Sequence, residues 1–390
     1  MSAEARSDFD PNSLDFQEDP YPTYRKLQEA GPAVRNEAQG FWAISRYAEV
    51  KESLLQPSRF SSERSFGEGR AAPQGIIVIM DPPLHDGMRA LVNRAFTPRR
   101  IAALEVRIRE IANGLIDAFC EVGSCDLWRD FSAPLPTTVI AELLGVAPED
   151  REMFKEKSTQ IASSVGPGGA GNTNTAALEL VAYLGKAFDA KRRSPGDDLM
   201  SALIAAEIDG RKLTQEELVG FGLLLLIAGN ETTTNLISNA AVLLDRFPEQ
   251  RARLLSGEVP IPAAVEEFLR YDTPVQGLDR TLTEDVRFGD LRVPKGDRVF
   301  LMLAAANRDS KVFPEPDRFD VGRQPNPHLG FGFGAHFCLG ASLARMEARV
   351  AWEELLRRIP DYRISGATQR LPSSVFRGLL SVPIAFTASR

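Results

Sequence analysis

The run LVGFGLLLLIAG at 218–229 restricts the fold more than any other stretch of the chain. A helix that is apolar on every side has no face for water and must be enclosed by other elements. The run is shorter than the roughly 20 apolar residues that cross a bilayer, so it reads as the buried segment of a packed body. Its continuation, NETTT at 230–234, poses a problem, because buried polar groups have to find partners. Either the helix emerges into solvent at Asn230, or Asn230, Glu231 and the threonines serve a purpose inside. In the second case Thr232 bonds back to the carbonyl of Ala228, four residues earlier, which bends a helix and opens a groove for a ligand and water.

Around this segment the pattern is mostly helical. Apolar residues recur at spacings of three and four in LEVRIREIANGLIDAF, LELVAYLGKAFDAKRR and DDLMSALIAAEI, all between 104 and 227. Short alternating segments read as strands near FWAIS at 41–45, within 285–303 and within 379–388, with Pro294, Lys295 and Gly296 marking a turn. The expectation is a mainly α fold with a smaller β-rich lobe. With no repeat period and no Ser/Gly/Pro linker, residues 1–390 are expected to form a single domain. The loops near 65–79 and 166–175 are rich in residues that resist regular structure, and are expected to be mobile, as lids over a pocket or as plain surface loops.

The formal net charge of −7 argues against nucleic acid as the main partner, since phosphate binding needs a basic surface. Three cysteines in 390 residues, Cys120, Cys125 and Cys338, do not make a secreted disulfide framework and suit a reducing cytoplasm. The N-terminal MSAEARSDFDPNSLDFQEDPYPTY is polar and acidic, with the pattern of neither a signal sequence nor a membrane anchor.

Chemistry concentrates in FGFGAHFCLG at 331–340. The residues after Cys338, LGASLARMEARVAWEELLRRI, have the pattern of a long amphipathic helix, which sets the cysteine at a helix N-terminus where the dipole favours a thiolate. Gly332, Gly334 and Gly340 permit the close backbone approach that a bulky planar cofactor needs, and Phe331 and Phe337 offer apolar cover. A lone cysteine is ordinarily a small buried hydrophobe, but this surrounding pattern favours a ligand. Zinc fits poorly, with only His336 and Cys338 to hand. A Cys–His hydrolase would have to draw its base from His85 or His328. Two further pairs stand out: Glu267 and Arg270 in EEFLR, three apart on one helical face, and His85 and Arg89, four apart in a helix opened by two prolines. Each alone reads as an ordinary surface pair.

Together these residues resemble the cytochrome P-450 family, the haem-thiolate monooxygenases of the soluble bacterial type, over essentially the whole chain. FGFGAHFCLG fits Phe-Gly-x-Gly-x-His-x-Cys-x-Gly at every fixed position, AGNETT matches the oxygen-activation motif, and Glu267 with Arg270 matches Glu-x-x-Arg. The resemblance implies the cytochrome P-450 fold with a haem b buried between two central helices, its iron held by Cys338. It implies that His85, Arg89, Arg280 and His336 bind the propionates, that Ala228, Phe331 and Gly340 lie against the cofactor, and that Arg318 completes a structural triad with Glu267 and Arg270. Glu231 and Thr232 match the acid–alcohol pair that supplies protons for the reductive cleavage of O2.

The resemblance further implies a monomer that takes electrons from ferredoxin and ferredoxin reductase, and indirectly from NAD(P)H. A basic patch of Arg94, Arg99, Arg100, Arg345 and Arg349 would attract an acidic ferredoxin. By position, substrate contacts fall on Phe66 and Ile79, Ile161 and Ser164, Leu224 and Ala228, Val275, Gln276 and Leu278, and Leu379 and Leu380. Most are apolar, which implies a hydrophobic small molecule, with Gln276 and Ser164 as polar anchors. The outcome would be hydroxylation or epoxidation. A peroxide-driven or coupling-type oxidase is the alternative within catalysis. A non-catalytic haem sensor is the alternative outside it, and it would leave Glu231 and Thr232 without a task.

Overall fold

The computed structural model describes residues 6–63, 74–162 and 173–388. Most of the two expected lids, and with them Phe66 and Ser164, lie outside the described residues. The apolar run belongs to a 32-residue helix, Gln215–Arg246, about 48 Å long at 1.5 Å per residue. It starts at a capping box: the Thr214 side chain accepts from the Glu217 backbone while the Glu217 side chain accepts from the Thr214 backbone. Helices Pro134–Leu144, Arg151–Ala162, Thr173–Arg193 and Ala341–Arg358 pack around it and enclose Leu218, Phe221, Leu225 and Leu226. At Gly220 the packing is so close that a Cβ would stand 1.9 Å from the carbonyl oxygen of Gln74, so only glycine lets residues 74–75 lie on this helix.

The β-rich lobe is built on a five-stranded sheet in the order Val34–Asn36, Phe41–Ile44, Arg298–Leu301, Leu278–Leu282, Phe60–Ser61. Its one parallel pairing joins Phe41–Ile44 to Arg298–Leu301, and the other three are antiparallel. The sheet has its own apolar core of Trp42, Phe60, Leu282, Val299, Leu301 and Phe313. The expected strands at 41–45, 285–303 and 379–388 are present. Leu278–Leu282 is a strand that the periodicity did not reveal, and it is the one that carries Arg280. Among the described residues no helix is long and apolar enough to cross a membrane.

Glu267 and Arg270, an ordinary surface pair on spacing alone, are both 0% exposed. Two parallel bonds of 2.7 and 2.8 Å join them, and the Asp320 backbone N–H (3.0 Å), Arg323 Nε (3.3 Å) and Asn326 Nδ2 (3.2 Å) also donate to the carboxylate. The third arginine is therefore Arg323 and not Arg318. Arg318 stands on the outer side of the turn, where its guanidinium meets Glu315 at 3.3 Å. Only its backbone carbonyl faces inward, accepting from Arg270 and Arg323.

Candidate functional site

The segment 331–338 is folded back on itself: the Cys338 N–H donates to the Phe331 carbonyl at 2.9 Å, around a 3-10 turn at Gly334–His336. Gly334 has φ +71°, and a Cβ there would stand 2.6 Å from the Leu54 carbonyl, which accounts for the second glycine of the motif. The helix Ala341–Arg358 begins three residues after the cysteine. Burial pushes the Cys338 thiol up, while the Gly340 N–H, Arg89 and Arg345 pull it down by less. The helix terminus alone therefore does not make the thiolate that the sequence pattern favours, because the cost of burying the charge is larger. A bound metal ion would reverse that balance, since a coordinating thiol is deprotonated outright. Phe331 is half-buried under the Arg345 guanidinium, 4.5 Å from its ring centroid. Phe337, expected as cover, is 40% exposed instead.

His85, Arg89, Arg280 and His336 come from three elements: the helix Leu84–Ala95, the strand Leu278–Leu282 and the cysteine segment. The two imidazoles lie 4.2 Å apart between ring centroids. His85 is buried with Nδ1 2.8 Å from Asp86, and its Nε2 is buried without a hydrogen-bond partner among the described residues. Burial, aided by Arg280, His85 and Arg89, holds His336 down to about 3, so it is neutral and can donate one N–H. Its Nε2 is 3.3 Å from Ser62 Oγ. Arg280, 7% exposed, donates to the Asp279 carbonyl at 2.6 Å, and no carboxylate among the described residues pairs with it. Burial lowers it to about 10, with Asp81 and Asp279 opposing. Arg89 donates to the Phe337 carbonyl at 2.8 Å and is also lowered by burial. A cluster buried at His85 and Arg280 and half-buried at Arg89 and His336, with cations and donors in excess of acceptors, fits carboxylate groups of a ligand, and the two propionates of a haem meet that requirement beside a cysteine sulfur.

The second group of candidate residues lies on the central helix Gln215–Arg246. Ala228 is exposed and Leu224, Ile227, Gly229 and Thr232 are half-buried, while Leu225, Leu226, Asn230 and Glu231 between them are buried. Thr232 Oγ1 donates to the Ala228 carbonyl at 2.7 Å, the back-bond expected from the spacing. The helix does not emerge into solvent here. Asn230 Oδ1 accepts from Thr137 (2.8 Å) and Thr234 (3.3 Å), and its Nδ2 donates to Ser158 Oγ at 2.9 Å. Glu231, 3% exposed, accepts at Oε1 from Thr159 (2.7 Å) and Ser158 (3.3 Å). Burial raises its carboxyl, against the pull of Thr159, Ser158 and Lys155. Glu231 and Thr232 thus diverge, one held on the helix Arg151–Ala162 and the other on its own helix.

Of the expected substrate contacts, Ile79, Leu224, Val275, Leu278 and Leu380 are half-buried, while Ile161 and Leu379 are buried in the main core. Gln276 is not free to anchor a ligand. Its Oε1 accepts from Tyr24 at 2.5 Å and its Nε2 donates to the Thr273 carbonyl at 2.6 Å. The basic patch is also smaller than its sequence implies. Arg345 is paired with Glu266, Arg349 with Glu105 and Glu353, and Arg100 lies 3.7 Å from Asp197. Arg94 and Arg99 are exposed without an ion pair among the described residues. Sequence reasoning missed Ser158 and Thr159, whose partners lie more than seventy residues away, and Glu347. That carboxyl is buried in the helix after the cysteine and pushed up to about 8, with Oε2 unpartnered.

A family model described as Cytochrome P450 matches residues 261–363, the part that holds Glu267, Arg270 and Cys338. The cytochrome P450 monooxygenase PikC of Streptomyces venezuelae is 41% identical over 391 residues, covering 96% of this chain and 93% of its own. The vitamin D(3) 25-hydroxylase of Pseudonocardia autotrophica is 41% identical over 384 residues, covering 95% and 94%. Among solved structures, cytochrome P450 CYP109Q5 from Chondromyces apiculatus superposes with a TM-score of 0.90 at 40% identity, covering 98% of this chain and 99% of that one.

Proposed function

The chain belongs to the cytochrome P450 family of oxygen-incorporating oxidoreductases, and from that premise we propose that it inserts one atom of O2 into a hydrophobic small molecule, by hydroxylation or epoxidation. Two electrons reach it from ferredoxin and ferredoxin reductase, and so indirectly from NAD(P)H, in the cytoplasm. The observation that carries this reading is the cluster of His85, Arg89, Arg280 and His336 beside Cys338, in which buried His85 Nε2 has no hydrogen-bond partner and buried Arg280 no carboxylate partner among the described residues.

When bound, the haem supplies activation of O2 at a thiolate-ligated iron. Cys338 is its ligand. His85, Arg89, Arg280 and neutral His336 take the propionates, and Ala228, Phe331 and Gly340 lie against the ring. Glu231 holds the proton that is delivered, and burial, which raises its carboxyl above the ordinary carboxylate value, favours the protonated form. The Thr232 hydroxyl, fixed toward the Ala228 carbonyl, keeps its oxygen lone pairs available to orient water. Leu224, Ala228, Ile79, Val275 and Leu278 give the substrate an apolar wall. A relative of similar length is named for hydroxylating vitamin D(3), which supports a bulky hydrophobic substrate class. The free thiols of Cys120 and Cys125 suit the cytoplasm.

Turnover with a surrogate ferredoxin system, NADPH and O2 tests the reading. Product must form from a hydrophobic substrate, and Thr232→Ala must divert NADPH from product to hydrogen peroxide. Equal coupling in variant and parent would remove Thr232 from the mechanism.

A further inference from the structure

The unexpected feature of the site is how the acid is held. We propose that Thr159 and Ser158 are positioning residues for Glu231: from the helix Arg151–Ala162 they fix its carboxyl by Oε1 and leave Oε2 as the oxygen that gains and loses the proton. The proposal rests on Glu231 being the acid of the oxygenase proposed above.

Both hydroxyls converge on one oxygen, Thr159 at 2.7 Å and Ser158 at 3.3 Å. Ser158 has a single proton to share between Glu231 and the Lys155 carbonyl at 3.0 Å, so the shorter Thr159 bond is the principal one. Ser158 is itself held in place by Asn230 Nδ2 at 2.9 Å, and Asn230 by Thr137 from the helix Pro134–Leu144. An oxygen that accepts two donors is the poorer site for a proton, so the proton resides on Oε2, which accepts no hydrogen bond among the described residues. Each donor favours the ionised form and offsets part of the cost of burial. The charged group facing Glu231 from the packed elements is Lys155, on the same helix as the two hydroxyls; its own helix and Pro134–Leu144 present the neutral Asn230 and Thr137.

This arrangement ties proton supply to the position of one helix. Ile161, two residues beyond Thr159 and one of the expected substrate contacts, is buried in the main core, so this helix is part of the body that packs beside the site. A substrate that displaces this helix lengthens the Thr159 bond and raises the proton affinity of Glu231. No cation takes part in the tether, so its effect is insensitive to salt.

Infrared spectroscopy of the holoenzyme across pH tests this. The carbonyl stretch of the protonated carboxyl is assigned by its loss in Glu231→Gln, and the pH at which it half disappears is compared between variants. Thr159→Val and Thr159→Ala should each move that midpoint upward by about one pH unit, a tenfold change in proton affinity. Ser158→Ala should move it less, and Thr159→Ser should restore the parent value. A midpoint in Thr159→Ala equal to the parent's overturns the proposal. Failure of the oxygenase reading looks different: Glu231→Gln would keep the parent's ratio of product to NADPH while the infrared shift persisted.

Discussion

Two clusters of buried charge can be compared. Around Glu267, every polar atom of a carboxylate and its arginine is matched: Arg270 Nη1 alone donates to the carbonyls of Asn307 and Pro316, and Arg323 and Asn326 close the remaining positions. Around Arg280, donors outnumber acceptors, and His85 Nε2 has no partner among the described residues. Burial of charge is common to both, so burial does not separate structure from function. Saturation does. A saturated cluster finishes its chemistry inside the chain, whereas an unsaturated one is completed by a ligand of the opposite kind.

The largest effect that would break this contrast concerns the saturated cluster. Glu267→Gln leaves Arg270 buried and unpaired, and should cost about 3–5 kcal/mol in chemical denaturation. Arg323→Ala should cost less, roughly 1–3 kcal/mol, and Arg318→Ala under about 0.5 kcal/mol because its guanidinium lies outside. Equal costs at 318 and 323 would restore the triad implied by the family pattern.

Next comes the unsaturated cluster. Arg280→Met removes a buried charge that no carboxylate of the described chain matches, so the haem-free protein should be as stable or about 1 kcal/mol more stable. Haem transfer to apomyoglobin from the same variant should be at least about tenfold faster, the scale of one lost charge-assisted bond. A destabilised haem-free chain would mean that Arg280 is structural.

Glu347 sharpens the contrast at the level of a single group. Its folded value of about 8 lies above the unfolded one, so the folded state keeps a proton that the unfolded state releases. Stability is therefore lost as pH rises from about 4.5 towards 8, and Glu347→Gln should stabilise by on the order of 2 kcal/mol at pH 7 and by little at pH 4. A flat difference between the two pH values would show that the carboxyl is paired. The smallest effect belongs to the surface: reversing Arg94 and Arg99 should slow reduction by ferredoxin about two- to fivefold and flatten its salt dependence.

Much of this was legible in the sequence because the motif residues are set by local geometry. The Thr232 back-bond spans one helical turn, and the turn at Gly334 is a backbone requirement. Arg323, Thr159 and the spent side chain of Gln276 were not legible, because their partners come from distant segments and are chosen by packing. The Gln276 amide oxygen is a free anchor or a spent one according to whether Tyr24 reaches it, and nothing in the local pattern says that it does. The balance at the Cys338 thiol is only half visible for a related reason. The helix terminus is visible in sequence, but the depth of burial that outweighs it is not.

The central claim, that Cys338 holds a haem iron in the pocket completed by the unsaturated cluster, is tested most directly by the visible spectrum of the reduced, carbon monoxide-bound protein. The parent should show the red-shifted Soret band of thiolate ligation, and Cys338→Ala should lack it. A red-shifted band that survives in Cys338→Ala would contradict the assignment.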